Sequence, residues 1–299
     1  MVTTATDVTA AGPQPPLLRT ENLSVCIDSH GERNTVVSDV NLELTAGRTI
    51  GIVGESGSGK SMTAAAIMGI LPPVATAQGR VFYQGTDLLT LDDKARRAIS
   101  GPELAYIFQE PMSALHPMLS IGAQMIRPMR IHLGLSKREA RERSAELLDQ
   151  VGIPKSRGLL GAYVHQLSGG MRQRVMIAMA ISCQPALLLA DEPTTALDAA
   201  VQKQILELLL DLRDQLGLGL VLISHDLGLI SRYADDVLVM LDGDVMEQGP
   251  TADVVANPTH PYTRGLIESA PRIGHVPRRL PTIDRAKFST RALADKEAR

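Results

Sequence analysis

GIVGESGSGKS, residues 51–61, decides how the rest of the chain is read. Within it Gly54, Gly59, Lys60 and Ser61 meet the spacing G-x-x-x-x-G-K-[ST], a mould for nucleotide phosphates. Glycines at 54, 57 and 59 let the backbone curl close around an anion, because a side chain there would obstruct the approach or forbid the dihedrals. Peptide N–H groups then face inward, so the nucleotide-binding set runs through Gly54, Glu55, Ser56, Gly57, Ser58, Gly59, Lys60, Ser61 and Met62. A helix starting near Lys60 adds its positive end to the same spot. Lys60 can reach the β- and γ-phosphates and Ser61 can ligate Mg²⁺. The apolar run 49–53 reads as a buried strand and 62–71 as a helix, which is the strand-turn-helix setting the motif needs.

Composition agrees with a globular chain. Its 299 residues suffice for a substantial core, with 44% hydrophobic and 21% charged residues. A net charge of −3 gives no overall grip on nucleic acid, and no nucleic-acid partner is expected. Cys26 and Cys183 lie far apart in apolar surroundings and are expected to be reduced core residues, as in a cytosolic protein. No apolar run approaches the ~18 residues that would span a bilayer, and residues 1–16 lack the character of a secretory signal.

Taken in order, residues 1–16 are expected to be a disordered tail. Residues 18–27 and 35–44 alternate in polarity around a polar turn and predict an antiparallel pair. Pro72 and Pro73 are expected to stop the first helix, and 79–85 reads as a strand. A short helix at 92–99 precedes the strand 104–108, which ends on Gln109. Helical spacing recurs at 121–133, at 137–151 with Ser136 and Glu139 as a cap, and at 171–181. Strands at 186–190 and 218–223, with an amphipathic helix at 199–216 between them, imply a parallel βαβ unit. Residues 237–240 and 244–247 around Gly243 read as a closing hairpin. The fold class is therefore α/β: a nucleotide-binding P-loop core, an ATPase core on the resemblance described next, with an N-terminal antiparallel β subdomain and an inserted α-helical subdomain at about 112–182.

LSGGMRQR at 167–174, about a hundred residues beyond the phosphate loop, makes the chain resemble an ATP-binding-cassette (ABC) ATPase from about Leu18 to Pro271. Further stations follow in the family's order: Gln109 in FQEPMSALHP resembles the Q-loop, LLLADE at 187–192 the acidic strand end, Ala196-Leu197-Asp198 the D-loop, and His225 in VLISHD the switch histidine. The resemblance implies ATP and Mg²⁺ as cofactors. It makes Glu192, His225 and Gln109 the catalytic residues: Glu192 polarises the attacking water, Gln109 touches metal and water, and His225 bonds the γ-phosphate. Ser61, Gln109 and Asp191 are the implied metal residues. Ser168, Gly169, Gly170 and Asp198 are expected to act in trans, on ATP held by a partner subunit. One departure stands out. Family members commonly stack adenine on an aromatic residue, and the matching position here is Ile27, with no aromatic side chain before Phe82.

FQEPMSALHPMLSIGAQ from residue 108 and NPTHPYTRGLI at 257–267 resemble the oligopeptide, dipeptide and nickel importer branch. On that resemblance the chain is a peripheral motor on the cytoplasmic face of the cell membrane, coupling ATP hydrolysis to uptake of peptides or a related small solute. Its implied partners are a second ABC ATPase subunit, a distinct chain rather than a second copy, two membrane-spanning permease subunits whose short helix enters a groove at 112–119, and an external solute-binding protein. A soluble ABC ATPase of translation or DNA repair is the alternative; such chains carry two cassettes or a very long coiled coil, and this one has neither. The implied domains are 17–250 for the nucleotide-binding domain and 251–299 for a C-terminal extension. Its last part, 272–299, carries a net +5 and reads as a solvated tail, with contact to anionic lipid heads or a neighbouring subunit as the weaker alternative.

Overall fold

Alternating polarity in the first strands and unbroken apolar runs in the later ones sort the chain into two sheets. The computed structural model describes residues 15–269 apart from 30, 155 and 196. The expected disordered tail, almost all of it, and the basic tail lie outside these residues. In chain order the strands are β1 (Leu18–Ser29), β2 (Glu32–Leu44), β3 (Thr49–Val53), β4 (Ala75–Tyr83), β5 (Thr86–Asp87), β6 (Leu104–Ile107), β7 (Leu187–Asp191), β8 (Gly219–Ser224), β9 (Asp236–Leu241) and β10 (Asp244–Pro250).

The antiparallel sheet has the order β2-β1-β4-β5. Its first hairpin is longer than the alternation suggested, because Asp28 pairs with Arg33 and Ser29 with Glu32. Backbone ladders need no apolar side chains, so the polar turn shrinks. Likewise β4 starts at Ala75, ahead of the expected 79. Gly79 is not a strand start: it sits at φ +90° where the β1–β4 register shifts, and a Cβ there would stand 2.3 Å from the Asn22 carbonyl oxygen.

The second sheet runs β10-β9-β3-β8-β7-β6. Five of its strands are parallel, and β10 closes one edge as the antiparallel arm of the expected hairpin. β3, β7 and β8 are buried at every residue, as continuous apolar strands covered on both faces must be. One face packs with helix Lys60–Met68 against the antiparallel sheet, through Ile50, Ile52, Ile67, Val221 and Ile223. The other packs against helices through Leu188, Leu220, Ile205 and Ile177. Helix Lys60–Met68 stops at Gly69, which adopts φ +68°, while Ile70 N donates to Ala65 O at 2.9 Å. A glycine C-cap thus ends it before the expected limit of 71, and Pro72 lies beyond the stop.

Between β6 and β7 the chain forms helices Pro111–Ala114, Ile121–His132, Lys137–Gln150, Ser156–Leu159 and Gly169–Ala180. Ser136 and Glu139 make the reciprocal cap that their spacing predicts. Neighbouring parallel strands place their carboxyl ends together: Val53 registers with Ser224, and Asp191 with Ile223. Gly54, Glu192 and His225 therefore leave the sheet at one edge, where open α/β sheets bind ligands.

Candidate nucleotide site

The phosphate loop is shaped by what crowds it. A Cβ on Gly54 would stand 2.2 Å from the Met240 carbonyl oxygen at the end of β9, so only glycine fits. Gly59 precedes the helix at φ +99°, and no side chain caps that helix. Its first N–H groups are thus offered to an anion. Ser58 is buried and its carbonyl accepts from Gly243 N at 3.1 Å, which ties the loop to the β9–β10 turn. Ser56 and Gly57 face solvent, and Met62 is half-buried. Lys60, only 4% exposed, donates from Nζ to Gly54 O and Glu55 O, each at 2.8 Å. Burial pulls its pKa below the ordinary lysine value, and the carboxylates of Glu192, Asp191 and Glu55 oppose that pull.

Across the cleft, β7 ends on Asp191, a buried carboxylate. One oxygen accepts from Ser61 Oγ at 3.1 Å and the other from the Tyr106 hydroxyl at 2.8 Å. Burial raises the Asp191 pKa, and these two hydrogen bonds hold it down. Burial and then the charge of Asp191 push the Tyr106 phenol up, so its proton stays in place to be donated. Ser61 and Asp191 supply hard oxygens suited to Mg²⁺, but two protein groups cannot complete an octahedron. Phosphate oxygens and water would have to supply the remainder. Among the described residues there is no cluster of three or more His, Cys, Asp or Glu that could hold a metal ion.

Glu192 follows at φ +43°, a left-handed conformation seldom adopted by residues other than glycine. That turn aims its carboxylate at three partners. Glu192 Oε2 accepts from Thr195 Oγ1 at 2.8 Å and from Gln109 Nε2 at 3.1 Å, and lies 3.4 Å from His225 Nδ1. Gln109 is therefore placed on Glu192, one residue from the Ser61–Asp191 pair. The His225 side chain is 63% exposed and that of Glu192 15%, so the histidine stands at the mouth and the carboxylate inside.

Ser168, Gly169, Gly170 and Asp198 come together with one another at two helix starts. Ser168 caps helix Gly169–Ala180 through Met171 N at 3.3 Å, and Asp198 caps helix Ala199–Leu216 through Val201 N at 3.0 Å. A Cβ on Gly170 would lie 3.2 Å from Val201 Cγ1, and one on Gly169 3.6 Å from Leu197 Cδ2. The two helix starts form one ridge within the chain. Ala196 of this stretch lies outside the described residues. Ile27 sits half-buried in β1, paired with Asn34 and Ala75.

The family model described as "ABC transporter" matches residues 37–195, more than half of the chain. The chain belongs to the ABC transporter family. A second model, "Oligopeptide/dipeptide transporter, C-terminal region", matches residues 246–295 of this ABC chain. A relative from Brucella abortus (strain 2308), named "Putative peptide import ATP-binding protein", is 48% identical over 90% of this chain and 81% of its own length. Among solved structures, the ATP-binding cassette MJ0796 was seen as a dimer in a post-hydrolysis state bound to ADP and Pi. It is 28% identical with a TM-score of 0.70, covering 78% of this chain and 98% of that one. CbiO1 from Clostridium perfringens, part of the ABC transporter complex cbiONQ, is 27% identical with a TM-score of 0.69, covering 82% and 92%. The chain is accordingly an ABC ATPase with an ATP-binding cassette.

Two residues of this cassette site escaped the sequence reading. Tyr106 precedes Gln109 by three positions on β6 and read as strand filling, since only the pairing of β6 with β7 reveals that it faces Asp191. Thr195 read as part of a loop, although its place three residues after Glu192 is the one available signal.

Proposed function

We propose that this chain is the ATP-hydrolysing motor subunit of an ABC importer that takes up peptides or a related small solute, such as a nickel chelate. The observation carrying the proposal is the convergence of Gln109, Thr195 and His225 on Glu192 beside the Lys60–Ser61–Asp191 group. In this reading the phosphate-loop N–H groups and Lys60 hold the triphosphate. Ser61 and Asp191, with Gln109 at the edge, would hold Mg²⁺, which when bound neutralises phosphate charge. Glu192 draws a proton from the water that attacks the γ-phosphate, Gln109 and Thr195 fix the carboxylate, and His225 donates to the γ-phosphate.

Residues 17–250 form the nucleotide-binding domain in this proposal, with a helical lobe at about 112–182, and 251–299 a C-terminal extension. The ridge of Ser168, Gly169, Gly170 and Asp198 serves the ATP of a second ABC subunit, a different chain rather than a second copy. Exposed Phe108, Met112, Met118 and Leu119 offer an apolar surface for a permease subunit. No helix among the described residues is long and apolar enough to cross a membrane. In this proposal the chain works at the cytoplasmic face of the membrane beneath two permease subunits, fed by an external solute-binding protein. The match at 246–295 and the names of the relatives support the peptide branch.

Purification of the tagged chain from its native membranes tests this. Two permease chains, a second ABC chain and ATP hydrolysis stimulated by a loaded binding protein are the expected result. Ribosomes or DNA in their place would overturn it.

A further inference from the structure

We infer that Tyr262 is a positioning residue for the nucleotide: it holds the Gly54–Glu55 peptide of the phosphate loop, so that segment 257–269 tunes nucleotide affinity. The inference rests on the reading of that loop as the ATP site and adds to it a role for the C-terminal segment.

After β10 come helices Thr251–Ala256 and Pro261–Ser269, joined by a turn knit to itself and to the strand. Glu247 of β10 accepts from Thr259 N at 2.7 Å, Thr259 Oγ1 at 2.8 Å and His260 N at 3.1 Å. The Arg264 guanidinium donates to Pro258 O at 2.9 Å and Thr259 O at 3.3 Å, and His260 Nδ1 accepts from Tyr262 N at 3.2 Å. So many bonds across so few residues fix the direction in which the following helix leaves. That direction turns Tyr262 fully inward, into the core that also contains Leu227, Ile230 and Leu266. Helix Pro261–Ser269 packs on helix Leu227–Ile230, which begins two residues after His225.

At the buried end of this brace, the Tyr262 hydroxyl accepts from Glu55 N at 3.4 Å. Glu55 N and Gly54 O belong to one peptide plane, and Gly54 O accepts from Lys60 Nζ on the other side at 2.8 Å. Tyr262 and Lys60 therefore grip the same plane from opposite ends. Were the plane free to rotate, the acceptor that parks Lys60 beside the phosphate position would swing away, and binding would have to restore it. A held loop avoids that ordering cost. A single neutral hydrogen bond of this kind corresponds to about a two- to tenfold change in affinity.

The test uses the full-length chain and fluorescent ATP and ADP analogues. Tyr262→Phe removes only the hydroxyl, and Glu247→Gln loosens the turn while leaving Tyr262 present. Each is expected to weaken ATP and ADP together by about two- to tenfold, with the double variant short of the product of the two. In the assembled complex, KM for ATP should rise while kcat holds. A merely structural tyrosine would lower the melting temperature and leave affinity alone. Wild-type affinity in both folded variants would overturn the inference while leaving the site intact. Failure of the wild-type chain to bind either nucleotide would instead overturn the site, and the inference with it.

Discussion

Replacing Glu192 by Gln exchanges one oxygen for an amide nitrogen and preserves size and shape. The carboxylate oxygen at stake collects Thr195 Oγ1 at 2.8 Å and Gln109 Nε2 at 3.1 Å. An amide can turn its own carbonyl oxygen toward both donors, so the loop stays in place and thermal stability should change little. Basicity is what disappears. A positioned general base is worth about 10²–10⁴ in rate, or roughly 3–5 kcal/mol on the barrier, and kcat of the complex should fall by that factor. Nucleotide binding should move the other way. Glu192 is foremost among the carboxylates whose charge acts on Lys60, and it would stand near a triphosphate carrying several negative charges. Removing it leaves affinity equal or tighter. Phosphate release by the assembled complex and dissociation of a fluorescent ATP analogue from the chain measure the two effects separately. Turnover within about fivefold of wild type would refute the assignment of Glu192 as the base.

Other substitutions probe the remaining parts of the cleft. Lys60→Ala deletes the ammonium that bonds Gly54 O and Glu55 O, and should weaken ATP by about ten- to a hundredfold in equilibrium titration. Ser168→Arg alters an exposed helix start whose side chain caps its own helix; on the proposed action in trans, ATP binding by the isolated chain should persist while turnover of the complex stops, and parallel loss of both would contradict that action. With Ile27 where an aromatic stacking surface is expected, GTP should compete for the site, and Ile27→Tyr should restore preference for ATP in competition titrations. An unchanged, strong ATP preference in the wild-type chain would argue against an aliphatic base platform.

The parts of this site that sequence revealed are those whose chemistry is confined to a few consecutive residues. A glycine pattern before Lys60, an acidic pair ending an apolar strand, and Ser168 ahead of two glycines each fix the local backbone that the structure shows. Contacts across long separations were hidden. Tyr106 and Asp191 are 85 positions apart and meet because β6 and β7 pair in register. Tyr262 and Glu55 are 207 apart, and a turn tied to Glu247 sets that meeting. Local errors had local causes. Gly69 ended the first helix before the prolines could, and Gly79 marked a bulge within β4 rather than its beginning.

The left-handed backbone at Glu192 leaves a mark on how this protein could be hardened. Holding a residue with a Cβ in that region costs about 1 kcal/mol, and glycine at the same point would recover most of it. A screen that rewards heat tolerance alone would drift toward glycine there, relaxing the chain and discarding, in one step, the carboxylate proposed to take the proton from water. Durability and fuel consumption compete for a single codon, so a toughened form selected without an activity check would emerge inert.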